Sequence, residues 1–296
     1  MKRARIIYNP TSGREAFKRE LPYVMEQLEK AGYETSAHAT VGKGDAAKAA
    51  EVAVQREYDI VIAAGGDGTI NEVVHGLAGK EYRPKLGVIP VGTTNDFARA
   101  IRIPRDIKHA LAIIIDGHSR PLDIGQVNDS HFVNIAGGGK ITELTYDVPS
   151  KLKTALGQLA YYLKGVEILP SIRPTKVRIS YNDIVYEDEI MMFLISNTNS
   201  VGGFEKLAPD AKLDDGLFDM IILKKTNVAD FVRLAAAALR GAHINDERVI
   251  YAKTAHVTIE SEDDMQLNID GEYGGLLPGK FVNLHRHIDF FVPEDY

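Results

Sequence analysis

Gly65-Gly66-Asp67-Gly68-Thr69 follow a short apolar run, Ile60 to Ala64, and precede a helix-like stretch opening Ile70-Asn71-Glu72-Val73-Val74. Glycines let the main chain come against a ligand, and the first turn of a helix offers unpaired N–H groups and partial positive charge, so such a turn suits phosphate. The carboxylate of Asp67 at its centre is tolerable beside phosphate mainly when a cation lies between them, which points to a metal–nucleotide complex. The lysine and hydroxyl of a P-loop are missing, and the glycine spacing is not that of a dinucleotide fingerprint. The blander alternative is a tight turn whose glycines serve geometry alone, with Thr69 as the helix cap.

Two acidic turns lie far downstream, Asp214-Asp215-Gly216 and Asp270-Gly271-Glu272. Each taken alone reads as a solvated turn. His285 and His287 alternate like a metal pair, but no third ligand accompanies them, and they are assigned nothing. Gly137-Gly138-Gly139 reads as a strand break rather than as the lining of a lipid cleft. The absence of cysteine excludes thiolate ligands, disulfides and a cysteine nucleophile, and no Gly-x-Ser-x-Gly elbow supports a serine lipase.

These residues need a scaffold, and the first part of the chain provides an alternating one. Strands are expected at 5–9, 33–40, 59–64 and 85–89, with helices at 17–31, 46–56, 70–78, about 96–101 and 107–116. Apolar strands alternating with helices imply a parallel sheet covered on both faces, with ligands beyond the carboxyl ends of the strands. Four loops then share that edge: Asn9-Pro10-Thr11-Ser12-Gly13, Thr40 with Gly42 and Gly44, the Gly-Gly-Asp-Gly-Thr turn, and Pro90 to Asp96 with Thr93. Glycine, hydroxyl and amide groups there could surround a polyphosphate, unless ordinary turns have clustered by chance.

From about Arg120 the pattern becomes β-rich. Strands are expected at 120–127, 131–136, 176–181 and 184–196 around an Asn182-Asp183 turn, then at 217–223, 249–259, 266–269 and 281–288. Helices are expected at 151–169 and about 228–239. The first of these carries Leu152, Leu156, Leu159, Leu163 and Val166 on one face, with Lys151, Lys153 and Lys164 elsewhere. It reads either as packed on its own domain or as lying on an anionic membrane surface, for which Arg14, Lys18 and Arg19 form a second candidate patch. A formal net charge of −6 over 296 residues argues against nucleic acid. No apolar run reaches membrane-spanning length and the N-terminus lacks a signal-peptide core, so a cytoplasmic protein is expected.

Asn-Pro-Thr-Ser-Gly at 9–13, Gly-Gly-Asp-Gly-Thr-Ile-Asn-Glu at 65–72 and Pro-Val-Gly-Thr-Thr-Asn-Asp-Phe-Ala-Arg at 90–99 resemble the diacylglycerol kinase catalytic domain. The segments 206–216 and 267–272 match the same family, so the resemblance covers nearly the whole chain. It implies an α/β nucleotide-binding domain at 1–120 and a β-sandwich-like lipid-binding domain at 121–288, with 289–296 returning to the first. It implies ATP as co-substrate, held by Asn9, Pro10, Thr11, Ser12, Gly13, Thr40, Gly66, Asp67, Gly68, Thr69, Ile70, Asn71, Glu72 and Thr93. Glu272 would be the general base, with Asp67, Asp96 and Asp215 in a carboxylate–water–Mg²⁺ network, and Lys212, Asp215 and Leu217 would form a metal site. The implied reaction phosphorylates diacylglycerol at the membrane to phosphatidate for phospholipid synthesis. The expected partners are ATP, diacylglycerol, the inner face of the cell membrane and a second copy in a homodimer. A kinase of another lipid alcohol or of NAD, and a nucleotide sensor without catalysis, stay as alternatives.

Overall fold

Every residue of strand β3 (Ile60–Gly65) is buried, and a strand apolar on both faces requires cover on both. It pairs in parallel with β1 (Lys2–Tyr8) and β4 (Lys85–Pro90), and β1 pairs in parallel with β2 (Tyr33–Ala39). Helices α1 (Ala16–Lys30), α2 (Asp45–Gln55), α3 (Asp67–Leu77) and α5 (Ile107–Asp116) supply the cover, with the short α4 (Asp96–Ala100) following β4. Helices α2 and α3 meet closely at Gly76, where a Cβ would run into the Ala47 carbonyl. In the order β2-β1-β3-β4 the chain leaves β1 for one side and crosses back to the other through β3. That reversal opens a crevice beyond the carboxyl ends of β1 and β3, the position where open parallel sheets take their ligands.

The computed structural model describes residues 1–139, 174–199 and 206–296. The helix expected at 151–169, with its leucine face and lysines, lies outside the described residues, as does the side chain of Arg14. The chain divides into two compact units, Met1–Ile124 with Arg286–Tyr296, and Gly125–His285. The divisions fall inside β5 (Ser119–Val127) and β15 (Gly279–Phe291), whereas the bounds implied by the resemblance are 120/121 and 288/289. A strand that continues from one unit into the next leaves no linker signal. The last residues of β15 join the first unit, where Phe290 pairs in parallel with Leu86 of β4.

The second unit is antiparallel among its described strands. The long β9 (Ile184–Ser196) pairs along its first part with β8 (Thr175–Tyr181) and near its end with β7 (Ile135–Gly138) and β10 (Phe218–Lys224). Asn182 and Asp183, both at positive φ, close β8 onto β9 with a two-residue turn of the kind that matches strand twist. Phe132, Phe193, Phe218 and Phe281 form the centre of the core. Phe132 stacks on Phe218 with ring centroids 5.6 Å apart, and Phe193 meets Phe281 edge-on at 6.0 Å. Burying one such ring is worth about 1.5–3 kcal/mol, so this cluster determines which strand faces turn inward. The chain also contains β6 (Ser130–Phe132) and the helix α6 (Val228–Ala238).

Four expected elements differ, one being the single strand expected at 131–136, which is β6 against β5 and then, from Ile135, β7 against β9. The single strand expected at 249–259 is two, β11 (Val249–Thr254) against β10 and β12 (His256–Ser261) between β8 and β15, because the chain changes partners at Ala255. Gly137 and Gly138 do not break a strand but lie within β7, where a Cβ at Gly138 would strike the Phe193 ring. Helix α3 begins at Asp67 rather than Ile70, so Thr69 is not its cap but a buried residue of its first turn packed on Gly65.

Candidate active site

Three of the four loops at the carboxyl edge of the first unit touch through their main chains. Asn9 donates its N–H to the Ala64 carbonyl at 3.0 Å, and its Oδ1 accepts from the Thr11 N–H at 3.0 Å and the Thr11 hydroxyl at 2.9 Å. That side-chain turn holds the loop after β1 open. Gly13 sits at φ +58° with a Cβ position that would overlap the Val91 carbonyl, and a Cβ at Gly92 would lie 2.5 Å from the Gly66 Cα. The loops after β1, β3 and β4 are therefore in glycine-limited contact. The fourth loop is tied by Glu72, whose Oε1 accepts from the Gly44 N–H at 2.8 Å and Oε2 from the Ala46 N–H at 3.1 Å. Thr40 joins the same edge through its N–H to the Tyr8 carbonyl, 2.9 Å.

Asp67 staples two of these loops. Its Oδ2 accepts from the Asn95 N–H at 2.8 Å, and Asn95, held at φ +53°, returns its Nδ2 to the Gly65 carbonyl at 3.1 Å. Burial pushes the Asp67 carboxyl above its ordinary value, while the amides of Asn95, Phe97 and Asp96 draw it back toward ionisation. Its Oδ1 is buried without a hydrogen-bond partner. A carboxylate oxygen in that state fits a cation or a donor brought by a ligand, and oxygen-liganded Mg²⁺ suits it. Asp96 pairs with Arg99 at 3.2 Å, and the Thr93 and Thr94 carbonyls accept from Arg105, each at 2.9 Å. Ile70 is fully buried and its N–H is bonded to the Gly66 carbonyl.

In the second unit Asp215 precedes β10, its Oδ1 accepting from the Leu217 N–H at 3.1 Å and its Oδ2 from Lys253 Nζ at 3.2 Å. Lys253 also reaches the Asp210 carbonyl at 2.7 Å and the buried Asp219 at 3.3 Å. Burial opposes its charge, but Asp219 and Asp215 outweigh that and hold the ammonium above its usual value. Tyr251 donates to Asp219 as well. Lys212 is exposed, and among the described residues no group of three or more His, Cys, Asp or Glu could hold a metal. A cation at Lys212, Asp215 and Leu217 would thus rest on one carboxylate already facing an ammonium, with main-chain carbonyls for the rest.

Glu272 lies not in a loop but at the first position of β14 (Glu272–Leu276), exposed, directly after the turn from β13 (Gln266–Ile269). Asp270 and Gly271, at φ +48° and +90°, make that turn. Of the four acidic residues singled out, Asp67 and Asp96 belong to the first unit and Asp215 and Glu272 to the second.

Residues 3–127 match the family model described as the diacylglycerol kinase catalytic domain, and residues 144–291 match the YegS C-terminal NAD kinase beta sandwich-like domain. Diacylglycerol kinase of Bacillus subtilis is 65% identical over 296 residues, covering 100% of this chain and 98% of that one. The chain belongs to the diacylglycerol kinase family. Diacylglycerol kinase of Staphylococcus aureus is 56% identical over 294 residues, covering 99% of this chain and 93% of that one. A crystal structure of a putative diacylglycerol kinase from Bacillus anthracis superposes with a TM-score of 0.86 at 29% identity, over 99% of this chain and 96% of the other. The chain is accordingly an enzyme of the lipid kinase class, built from a diacylglycerol kinase catalytic domain and a β-sandwich-like second domain.

Several features of this kinase escape a sequence reading. Glu72 and Asp67 sit among residues expected to meet nucleotide, yet both use carboxylate oxygens to fasten main-chain amides. Asn95 stood inside a recognised segment, and an asparagine before a short helix is a usable signal for a left-handed residue. His287, which had no assigned task, accepts the Gly79 N–H on Nε2 at 3.2 Å, while its carbonyl takes Arg83 Nε at 2.7 Å. Nothing in local sequence pairs residues two hundred positions apart.

Proposed function

We propose that the chain is an ATP- and Mg²⁺-dependent diacylglycerol kinase that makes phosphatidate and returns lipid to phospholipid synthesis. Its place would be the cytoplasm, with transient contact at the inner face of the cell membrane. The observation that carries the nucleotide part is the glycine-limited meeting of the loops after β1, β3 and β4 around Asp67, with its buried, unpartnered Oδ1. The 65% identity to a protein named diacylglycerol kinase supports the choice of acceptor.

The amides of Gly68 and Thr69, in the first turn of α3, lack carbonyl partners earlier in the helix and would serve phosphate oxygens. Thr11, Ser12, Thr40 and Thr93 add hydroxyls along the same edge. Asp67, assisted by Asp96, would hold Mg²⁺, which supplies neutralisation of charge on the phosphate oxygens. Glu272, exposed at the first position of β14, takes the proton of the acceptor hydroxyl as the lipid oxygen bonds to the γ-phosphorus and the bond to the ADP oxygen breaks. Lys212, Asp215 and Leu217 are assigned a structural cation site. Because Lys253 already neutralises Asp215, loss of that cation should affect stability more than chemistry.

The test is transfer of labelled phosphate from ATP to diacylglycerol in mixed micelles, with sphingosine and NAD as competing acceptors. Phosphatidate as the dominant product, abolished by EDTA and restored by Mg²⁺, is expected. Preferential labelling of sphingosine or NAD would replace the acceptor, and ATP binding with no transfer to any of them would make the protein a sensor.

A further inference from the structure

The carboxylate of Asp270 is enclosed by three consecutive main-chain amides of the segment that leads into β7. Its Oδ2 accepts from the Val133 N–H at 2.8 Å, and its Oδ1 from Asn134 at 2.9 Å and Ile135 at 2.8 Å. The Asp270 N–H completes the joint by donating to the Ile135 carbonyl at 2.9 Å. From the inner side, the buried Asn268 accepts the Gly271 N–H on its Oδ1 at 2.9 Å. The two turn residues between β13 and β14 are thus held from both sides, and the next residue in the chain is Glu272.

That amount of fixing exceeds what a hairpin needs. An aspartate–glycine turn at two positive-φ positions closes antiparallel strands without help. Among the described strands β14 forms the end of the sheet, with β13 as its neighbour, and the tip of such an edge hairpin is where fraying begins. Charge-assisted bonds from amides to a carboxylate are shorter and stronger than neutral ones, so three at once remove that freedom.

We infer that Asp270 is a positioning residue that fixes Glu272 at the height and angle required for proton transfer. It does not touch the reacting atoms. This inference rests on the reading of Glu272 as general base. Misplacing a reacting group by about 1 Å can cost on the order of 100-fold in rate, which is the scale on which the clamp should act.

The experiment is a double-mutant cycle of Asp270→Asn and Glu272→Gln in the full-length protein. Asparagine keeps the shape of residue 270 but turns an NH₂ group toward amide donors. Alone, Asp270→Asn should lower kcat by about 10- to 100-fold while leaving KM for ATP unchanged, and hydrogen exchange at residues 133–135 should accelerate. In the Glu272→Gln background it should lower kcat by less than threefold further, because the base it positions is already gone. Wild-type kcat in Asp270→Asn despite faster exchange at 133–135 would overturn the inference, and so would full additivity in the cycle. The Glu272→Gln arm alone reports on the base, since a wild-type rate there removes the general-base reading whatever Asp270 does.

Discussion

The first unit gathers the main chain of several loops at one edge, whereas the second fixes its turns one at a time. In the parallel sheet every strand points the same way, so the loops after β1, β2, β3 and β4 reach one edge by topology alone. Carboxylates there act as internal fasteners: Asp67 binds the chain at Asn95, and Glu72 binds Gly44 and Ala46. In the antiparallel unit, turns alternate between opposite ends of the strands, so each hairpin tip has to be fixed by its own contacts. The amides of 133, 134 and 135 on the Asp270 carboxylate pin the hairpin tip that precedes Glu272. A parallel sheet concentrates loops without cost to any one of them, while an antiparallel one must fix each tip separately.

The sharpest way to break this contrast is to exchange the expected defects. Glu272→Gln should lower kcat about 100- to 10,000-fold with ATP affinity retained, since it removes only a proton acceptor. Steady-state transfer assays beside ATP titration calorimetry measure both, and a variant that lost nucleotide binding instead would blur the division. Gly92→Ala should do the reverse. Its Cβ would press on the Gly66 Cα, and overpacking of that kind costs about 1–3 kcal/mol, or roughly 5- to 150-fold in ATP affinity if the loops bear the strain. The same titration with the second unit's hydrogen exchange unchanged would place the damage in the first unit.

A milder change is Glu72→Gln, which replaces a charged acceptor of two amides by a neutral one. ATP affinity should fall about 3- to 10-fold, because a charge-assisted bond is worth roughly 1 kcal/mol more than a neutral one. Unaltered affinity would show that the loop after β2 takes no part. The smallest effect concerns pH. Burial, and secondarily the charge of Arg83, lower the His287 imidazole to about 4 in the folded protein against an ordinary 6.5. The unfolded chain then binds more protons between these values, so the contribution of His287 is complete above about pH 6.5 and is lost as pH falls toward 4. Urea midpoints at pH 7, 6 and 5 should decline in the wild type and decline less in His287→Gln, with catalysis at pH 7 unaffected.

The division between what was legible and what was not follows the range of the forces involved. Periodicity and turn chemistry located β1 to β4, the Asn182-Asp183 hairpin and the glycine turn after β3 within a few residues. Those signals are local, set by alternation, glycine and helix entry. The strand expected at 249–259 divides because β11 and β12 have different neighbours, which no window of sequence contains. The Asp270-Gly271 pair was itself a hairpin signal that hid β14, whose two glycines and exposed Tyr273 do not read as a strand.

Sequence by itself determined the kinds of groups available: glycine loops after apolar strands, a carboxylate within one of them, and an Asp-Gly-Glu turn far downstream. It determined the family as well, because the motifs extend along nearly the whole chain. Only the tertiary structure decided which carboxylates fasten backbone, and to which segment. Asp67, Glu72 and Asp270 are chemically like any other acidic side chain, and what sets their task is that main-chain N–H groups from segments distant in sequence arrive at their oxygens. Hydrogen bonds act over about 3 Å in space with no regard to separation along the chain, so the sequence carries the donors and acceptors but not their pairing.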